Sequence, residues 1–105
     1  MIIKSDQSKK REFKGVEFEV LATGEKSMVT KMNYKIGDTV PFHSHPNEQS
    51  GYVISGEYCI QFGQFSERLK SGDSYCIPEN VKHRWEVIVG GEVIDVFTPP
   101  RLDYL

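Results

Sequence analysis

Apolar and polar residues alternate along several short segments of the chain, which is the pattern of half-buried β-strands. The clearest case is the segment 28–36, in which Met28 and Met32 share one face of an extended chain and Lys31 and Lys35 share the other. No segment after residue 15 has a convincing helical period, although residues 5–14 could form a helical turn. The pattern therefore predicts an all-β fold.

Turn signals separate these segments. Ser55-Gly56 lies between GYVI and EYCIQF, and Gly90-Gly91 lies between HRWEVIV and EVIDVF, so that both pairs are predicted to form β-hairpins. IGD at 36–38 and SGD at 71–73 read as further turns. The tail TPPRLDYL cannot continue a central strand because of its prolines. Short strands at this spacing indicate two antiparallel sheets that form a sandwich or barrel.

The length of 105 residues fits one domain. We predict a polar N-terminal extension at residues 1–15 and a β-barrel domain at residues 16–105, because the β-pattern begins at VEFEVLA. No linker or internal repeat divides the chain.

Charge and composition exclude several classes of function. The formal net charge is −2 and the basic cluster Lys9-Lys10-Arg11 is short, so we expect no nucleic-acid partner. No apolar run reaches the ~20 residues that a membrane span needs, and the N-terminus lacks an apolar signal-peptide region. We therefore expect a cytoplasmic protein without a membrane partner. The two cysteines, Cys59 and Cys76, are far apart and are expected to be reduced.

Histidine is scarce in this chain, and two of the three histidines lie in the segment PFHSHPNEQ. His43 and His45 are two residues apart, so on an extended backbone both point to the same side, as does Gln49. His83 begins another predicted strand. Imidazoles that converge in this way suit a divalent transition metal. An H-x-H pair alone is equally compatible with surface or turn histidines.

The segments around the histidines match two spaced motifs. The first has the form G-x5-H-x-H-x3-E-x6-G and corresponds to Gly37, His43, His45, Gln49 and Gly56, with glutamine at the acid position. The second has the form G-x5-P-x-G-x2-H-x3-N and corresponds to Gly72, Pro78, Asn80, His83 and Val87, with Asn80 and Val87 replacing the glycine and the asparagine. Asparagine tolerates a left-handed conformation, so the turn at Asn80 should survive. The chain thus resembles the cupin superfamily over residues 37–87.

This resemblance implies a double-stranded β-helix, the cupin jelly roll, with one divalent metal inside. It places the metal on His43, His45, Gln49 and His83. The metal is expected to be Ni, Zn, Fe, Mn or Cu, since nitrogen and oxygen ligands suit all five. Gln49 is neutral and either binds through its carbonyl or acts through water. Three imidazoles and an amide leave the charge of the ion uncompensated, which favours an anionic substrate or a bound water with a lowered pKa.

A closer resemblance is to the small cupins associated with pectin degradation, the KdgF-like group. It is carried by HSHPNEQSGYVISGE, LKSGDSYCIPENVKH and VIDVFTPPRLDYL. The reaction of that group converts a 4,5-unsaturated uronate ring to its linear keto-deoxy form. The resemblance implicates Asp95, Phe97 and Arg101 in the catalytic site.

The residues themselves support part of this assignment. Asp95 interrupts the apolar run VIDVF, and a buried carboxylate is costly unless it is paired or functional. Phe97 has the same parity as Asp95, so both would face the barrel interior. The alternatives are that Asp95 faces solvent and that Arg101 is a solvated tail residue. Trp85 shares the parity of His83 and would lie in the core or at the edge of the pocket.

The leading prediction is a metal-dependent, isomerase-like enzyme that acts on a small anionic sugar acid. One alternative is an Fe(II)-dependent oxygenase, because a three-histidine site with open positions can bind dioxygen. Another is a non-catalytic module that binds a metal or a sugar acid. We also expect a homodimer, since exposed strand edges need cover.

Overall fold

Ten β-strands form two antiparallel sheets in the computed structural model, which describes residues 1–105. The strands are β1 (Lys9–Phe13), β2 (Val16–Thr23), β3 (Met28–Tyr34), β4 (Thr39–His43), β5 (Glu48–Val53), β6 (Glu57–Phe62), β7 (Phe65–Lys70), β8 (Ser74–Ile77), β9 (His83–Val89) and β10 (Gly91–Thr98). The larger sheet has the order β1-β2-β3-β10-β5-β8, and the smaller has the order β4-β9-β6-β7. The prediction of an all-β fold with two antiparallel sheets is confirmed.

Both sheets contribute to one apolar core. In β3 the even-numbered residues from Met28 to Tyr34 are buried and the residues between them are partly exposed, as the alternation predicts. From the smaller sheet, Trp85 stacks on Tyr34 and Tyr58 with ring centroids 5.5 Å and 4.9 Å away. Ile36 lies beyond the end of β3 and is 79% exposed. Apolar side chains from both sheets therefore fill the space between them, and Ile36 lies outside this core.

Both predicted hairpins are wrong. β5 belongs to the larger sheet and β6 to the smaller, and the same separation applies to β10 and β9. The glycine segments are corners at which the chain passes from one sheet to the other. Gly91 lies so close to the Ser55 carbonyl that a side chain would collide with it, and Ser55 N–H donates to Glu92. Alternation predicts a strand but does not predict the sheet to which the strand belongs.

Three hairpins were not predicted, one of which joins β2 to β3 through residues 24–27. Gly63 and Gln64 connect β6 to β7, which are paired along their whole length. Lys14 and Gly15, with φ of 51° and 83°, connect β1 to β2. The two-residue type I′ turn that Lys14 and Gly15 form needs positive φ at both central residues. The helical turn expected within residues 5–14 is limited to a 3-10 turn at Ser5–Gln7, and β1 follows it as an edge strand of the larger sheet.

The loops that carry the two motifs differ from the strands in conformation. Asn80 adopts the left-handed conformation expected for the residue that replaces glycine, with φ of 63°. Its N–H donates to the carbonyl of His45 at 2.8 Å, which joins the loop of the second motif to that of the first. β10 ends at Thr98, and the proline-containing tail leads to a 3-10 turn at Leu102–Tyr104. No helix in the structure has the length and apolarity that a membrane crossing requires.

Candidate metal centre

The three histidines come together at one end of the barrel. His43 ends β4 and is paired with His83, the first residue of β9, while His45 lies in the loop that follows β4. The nitrogen atoms available for a metal all lie within 4.8 Å of one another. His45 and His83 are buried and His43 is half-buried, which rules out the alternative of surface histidines.

Hydrogen bonds fix the orientation of all three rings. Each Nδ1 lies 2.9 Å from a backbone carbonyl oxygen two residues away. The acceptors are Pro41 for His43, Asn47 for His45 and Val81 for His83. A carbonyl only accepts, so each Nδ1 carries the proton and each Nε2 keeps its lone pair for a metal. Metal-binding histidines usually have such a partner on the other ring nitrogen.

Gln49 supplies an oxygen to the same cluster. Its Oε1 lies 3.1 Å from Nε2 of His45. Because Nε2 has no proton, two lone pairs face each other across this distance, and a cation near both would relieve their repulsion. Two ligands about 2.1 Å from one ion are roughly 3.0 Å apart when they subtend a right angle. The four side chains predicted from the motifs therefore fit one divalent transition metal.

Asp95 lies behind Gln49 and is only 1% exposed, so its side chain faces the interior and not the solvent. Tyr75 donates a hydrogen bond to Oδ1 at 2.5 Å. Burial raises the pKa of Asp95 to about 6, while hydrogen bonds from Tyr75 and Gln49 and the charge of Arg101 oppose the increase. A carboxyl group with this pKa changes protonation state close to neutral pH and is suited to proton transfer.

Arg101 and Phe97 lie on the side of the site formed by β10 and the C-terminal tail. Arg101 is 7% exposed and is therefore not a solvated tail residue. Nε and Nη2 of Arg101 donate to Asp103, and Nη1 donates to the Tyr104 hydroxyl at 2.8 Å. These bonds use three of the five guanidinium N–H groups and leave two for a ligand. The Phe97 ring is 5.5 Å from the guanidinium and 5.7 Å from the His45 ring.

One cavity joins these groups. Its lining includes two of the histidines together with Gln49, Asp95, Phe97 and Arg101. The volume is about 40 Å³, which is space for one water molecule. Trp85 also lines the cavity, and its Nε1 is a buried donor without a protein partner. A buried donor of this kind costs free energy unless an acceptor reaches it, so the cavity favours an occupant with an oxygen atom.

Several residues of the site were not predicted from the sequence. Phe13 lines the cavity from β1, with its ring 5.7 Å from that of His43 and 5.3 Å from the Arg101 guanidinium. Tyr104 and Tyr75 also contact the site, through Arg101 and Asp95 respectively. Gly51 was the one feature of the sequence that indicated such a contact, because a glycine inside a strand often marks a place where another group approaches the backbone closely. For Phe13, no feature of the sequence indicated a place near the histidines.

The metal-free protein is expected to show opposing effects of pH on stability. Burial lowers the pKa of His83 from 6.5 to about 4, so between these values the unfolded chain binds a proton that the folded chain does not, and the free energy of unfolding falls as pH falls. The raised pKa of Asp95 acts in the opposite direction between pH 6 and 4, because there the folded chain binds the extra proton.

Urea denaturation of the metal-free protein at pH 7 and pH 5 would measure these effects. We expect Asp95→Asn to make the loss of stability at pH 5 steeper than in the wild type. His83→Asn should make it shallower. If the free energy of unfolding fell by the same amount between pH 7 and pH 5 in all three proteins, Asp95 and His83 would not be the groups responsible for the pH dependence.

Comparisons with known proteins agree with this fold. A solved RmlC-like cupin from Shewanella frigidimarina has a TM-score of 0.91 at 27% identity, covering 99% of this chain and 95% of that one. KdgF from Halomonas has a TM-score of 0.88 at 24% identity over 98% of both chains, a likeness that shows the fold. Bacillus subtilis oxalate decarboxylase, a protein with Mn(II) centres, has a TM-score of 0.79 at 21% identity, and this chain covers 28% of its length.

No curated protein sequence matches the chain. The family model described as a cupin domain matches residues 30–97. That range contains both motifs, the three histidines, Gln49 and Asp95. Because it is also more than half of the chain, the protein belongs to the cupin family.

Proposed function

We propose that this cupin is a metal-dependent enzyme that converts 4,5-unsaturated uronates to their linear keto-deoxy form. The observation that carries the proposal is the single cavity that joins candidate metal ligands to a buried carboxyl group and a buried arginine. This combination provides a site for a cation, a proton-transfer group and an anion-binding group for one small substrate. The resemblance of the sequence to the KdgF-like cupins supports the choice of substrate.

In this proposal the metal is held by His43, His45, His83 and the carbonyl oxygen of Gln49. When bound, it would supply positive charge that polarises a substrate oxygen. The Asp95 carboxylate takes the proton of the anomeric hydroxyl as the ring C–O bond breaks. It then returns a proton to C4 of the resulting enol, which gives the ketone. The reaction is an isomerisation, so that it needs no further reactant.

Arg101 is proposed to hold the carboxylate of the substrate through its two remaining N–H groups. Asp103 and Tyr104 fix the plane of the guanidinium, which reduces the entropy lost on binding. The cavity of about 40 Å³ holds only a small part of a sugar acid. We therefore propose that the ring lies across the mouth of the cavity, against Phe97 and Phe13, with one oxygen inside.

The test begins with protein purified without a metal-affinity tag and loaded with Ni, Zn, Fe, Mn or Cu in turn. Each form is incubated with an unsaturated uronate, and the loss of the conjugated double bond is followed by ultraviolet absorbance. Saturated galacturonate is the matched control substrate, because it has the carboxylate and hydroxyls but no double bond. We expect turnover of the unsaturated uronate alone.

The same experiment separates the alternatives. Oxygen consumption by the Fe-loaded protein would favour an oxygenase. Stabilisation by uronate with no turnover for any metal would favour a non-catalytic binding module. Either outcome would contradict the proposed isomerisation. The expected homodimer and the cytoplasmic location stay predictions.

A further inference from the structure

A row of four residues crosses the larger sheet below the candidate metal centre. Thr30 in β3, Asp95 in β10, Gly51 in β5 and Tyr75 in β8 are consecutive partners in the strand register. Thr30 and Asp95 are almost completely buried. The row places Tyr75 two strands away from Asp95, with only Gly51 between them.

Gly51 is the residue that allows these two side chains to meet. A Cβ atom at this position would overlap the ring and hydroxyl of Tyr75 and lie 2.6 Å from Oδ1 of Asp95. Gly51 does not have the positive φ that would require glycine for backbone reasons. The absence of a side chain instead provides the space through which Tyr75 reaches across β5 to donate its hydrogen bond to Asp95 at 2.5 Å.

Gln49 and Asp95 lie on the adjacent strands β5 and β10 and line the same cavity, and hydrogen bonding from the Gln49 side chain holds the pKa of the Asp95 carboxyl down. A carboxylate only accepts, so the end of the Gln49 amide that faces it must be the NH₂ group. The carbonyl end then faces Nε2 of His45, where Oε1 is found at 3.1 Å. An amide with the opposite orientation would present NH₂ to the metal, and an amide nitrogen that keeps its protons does not bind a divalent cation.

We propose that Tyr75 is a positioning residue for the metal centre, which holds Asp95 so that Asp95 orients the Gln49 carbonyl toward the metal. The proposal rests on the metal centre of the proposed function but does not depend on the substrate. It explains how a neutral glutamine serves at the acid position of the motif, since a glutamate would need no such orientation.

The test uses Co(II) bound to the metal-free protein, because the visible absorption of Co(II) reports its ligands. Tyr75→Phe removes the hydroxyl and keeps the ring over Gly51. Tyr52→Phe is the matched control, because Tyr52 is 52% exposed on the neighbouring strand β5. We expect Tyr75→Phe to weaken Co(II) binding by about 10-fold and to change the spectrum, and we expect the control to match the wild type.

A double-mutant cycle shows whether Tyr75 acts through Gln49. In a Gln49→Ala background, Tyr75→Phe should cause no further loss of Co(II) affinity. Gly51→Ala should reproduce the spectral change of Tyr75→Phe, because the added methyl displaces the Tyr75 ring. The melting temperature of each metal-free variant separates a general loss of structure from an effect on the ligands.

Two results would overturn the proposal. One is an unchanged affinity and spectrum in Tyr75→Phe, and the other is an equal loss of affinity with and without Gln49. Both are measured without a uronate, so they are distinct from a failure of the proposed reaction. Conversely, the wild-type protein could bind Co(II), and the double-mutant cycle could give the expected coupling between Tyr75 and Gln49, while no uronate is converted. That result would overturn the proposed reaction and leave the role of Tyr75 intact.

Discussion

Replacing His45 by alanine is expected to lower metal affinity by more than about 100-fold, since even residues that only orient a metal ligand contribute 10- to 100-fold. His45 is the histidine of the cluster that lies next to both Gln49 and Phe97. Its Nε2 is adjacent to Gln49, and its Nδ1 is bonded to the carbonyl of Asn47. The variant removes one ligand and also leaves the Gln49 carbonyl without its neighbour.

Elemental analysis after dialysis against a weak chelator measures the effect. The wild type should retain close to one metal per chain, and His45→Ala should retain almost none. Ser44→Ala is a suitable control because Ser44 is the exposed neighbour in the same loop. Retention of a full equivalent of metal by His45→Ala would show that the bound ion lies elsewhere.

A loss of structure must be separated from a loss of the ligand. The His45 ring packs edge-to-face on Phe97 at 5.7 Å, so alanine also leaves a small cavity. Circular dichroism of the metal-free variant should show the wild-type sheet content. The wild type, but not the variant, should gain thermal stability when metal is added, because only a protein that binds the ion in its folded state is stabilised by it.

The fold was predictable from the sequence to the extent that it depends on local periodicity. Met28, Met32 and Tyr34 alternate with polar residues, and β3 has the burial that this pattern predicts. Strand partners were less predictable, because a glycine corner between two sheets and a hairpin turn within one sheet have similar local sequences. Gly56 and Gly91 look like hairpin glycines, yet their neighbours belong to different sheets.

The site shows the same division between local and long-range information. His43, His45 and His83 were identified because their spacing follows known motifs, and the structure brings them together. Phe13 and Tyr75 were missed because their places depend on which strands are adjacent. Tyr75 contacts Asp95 only because β8, β5 and β10 are neighbours and Gly51 has no side chain. Such a contact cannot be read from any one segment.

Asp95→Asn is expected to reduce turnover of an unsaturated uronate by about 100- to 10,000-fold, the usual contribution of a group that transfers protons. Asparagine has nearly the shape of aspartate and keeps one oxygen that can accept from Gln49. Metal binding should therefore weaken far less than turnover does. Rates are measured with saturating metal, so that a partial loss of affinity does not lower the rate.

The pH profile identifies the role of Asp95 in this experiment. As a base it must be ionised, so the wild-type rate should fall as the pH decreases through its pKa. That pKa is raised to about 6 in the metal-free protein, and a bound cation would lower it from that value because positive charge favours the carboxylate. The residual activity of Asp95→Asn should lack this acidic decrease. If Asp95→Asn kept the wild-type rate and also the fall in rate at low pH, another group would have to transfer the proton.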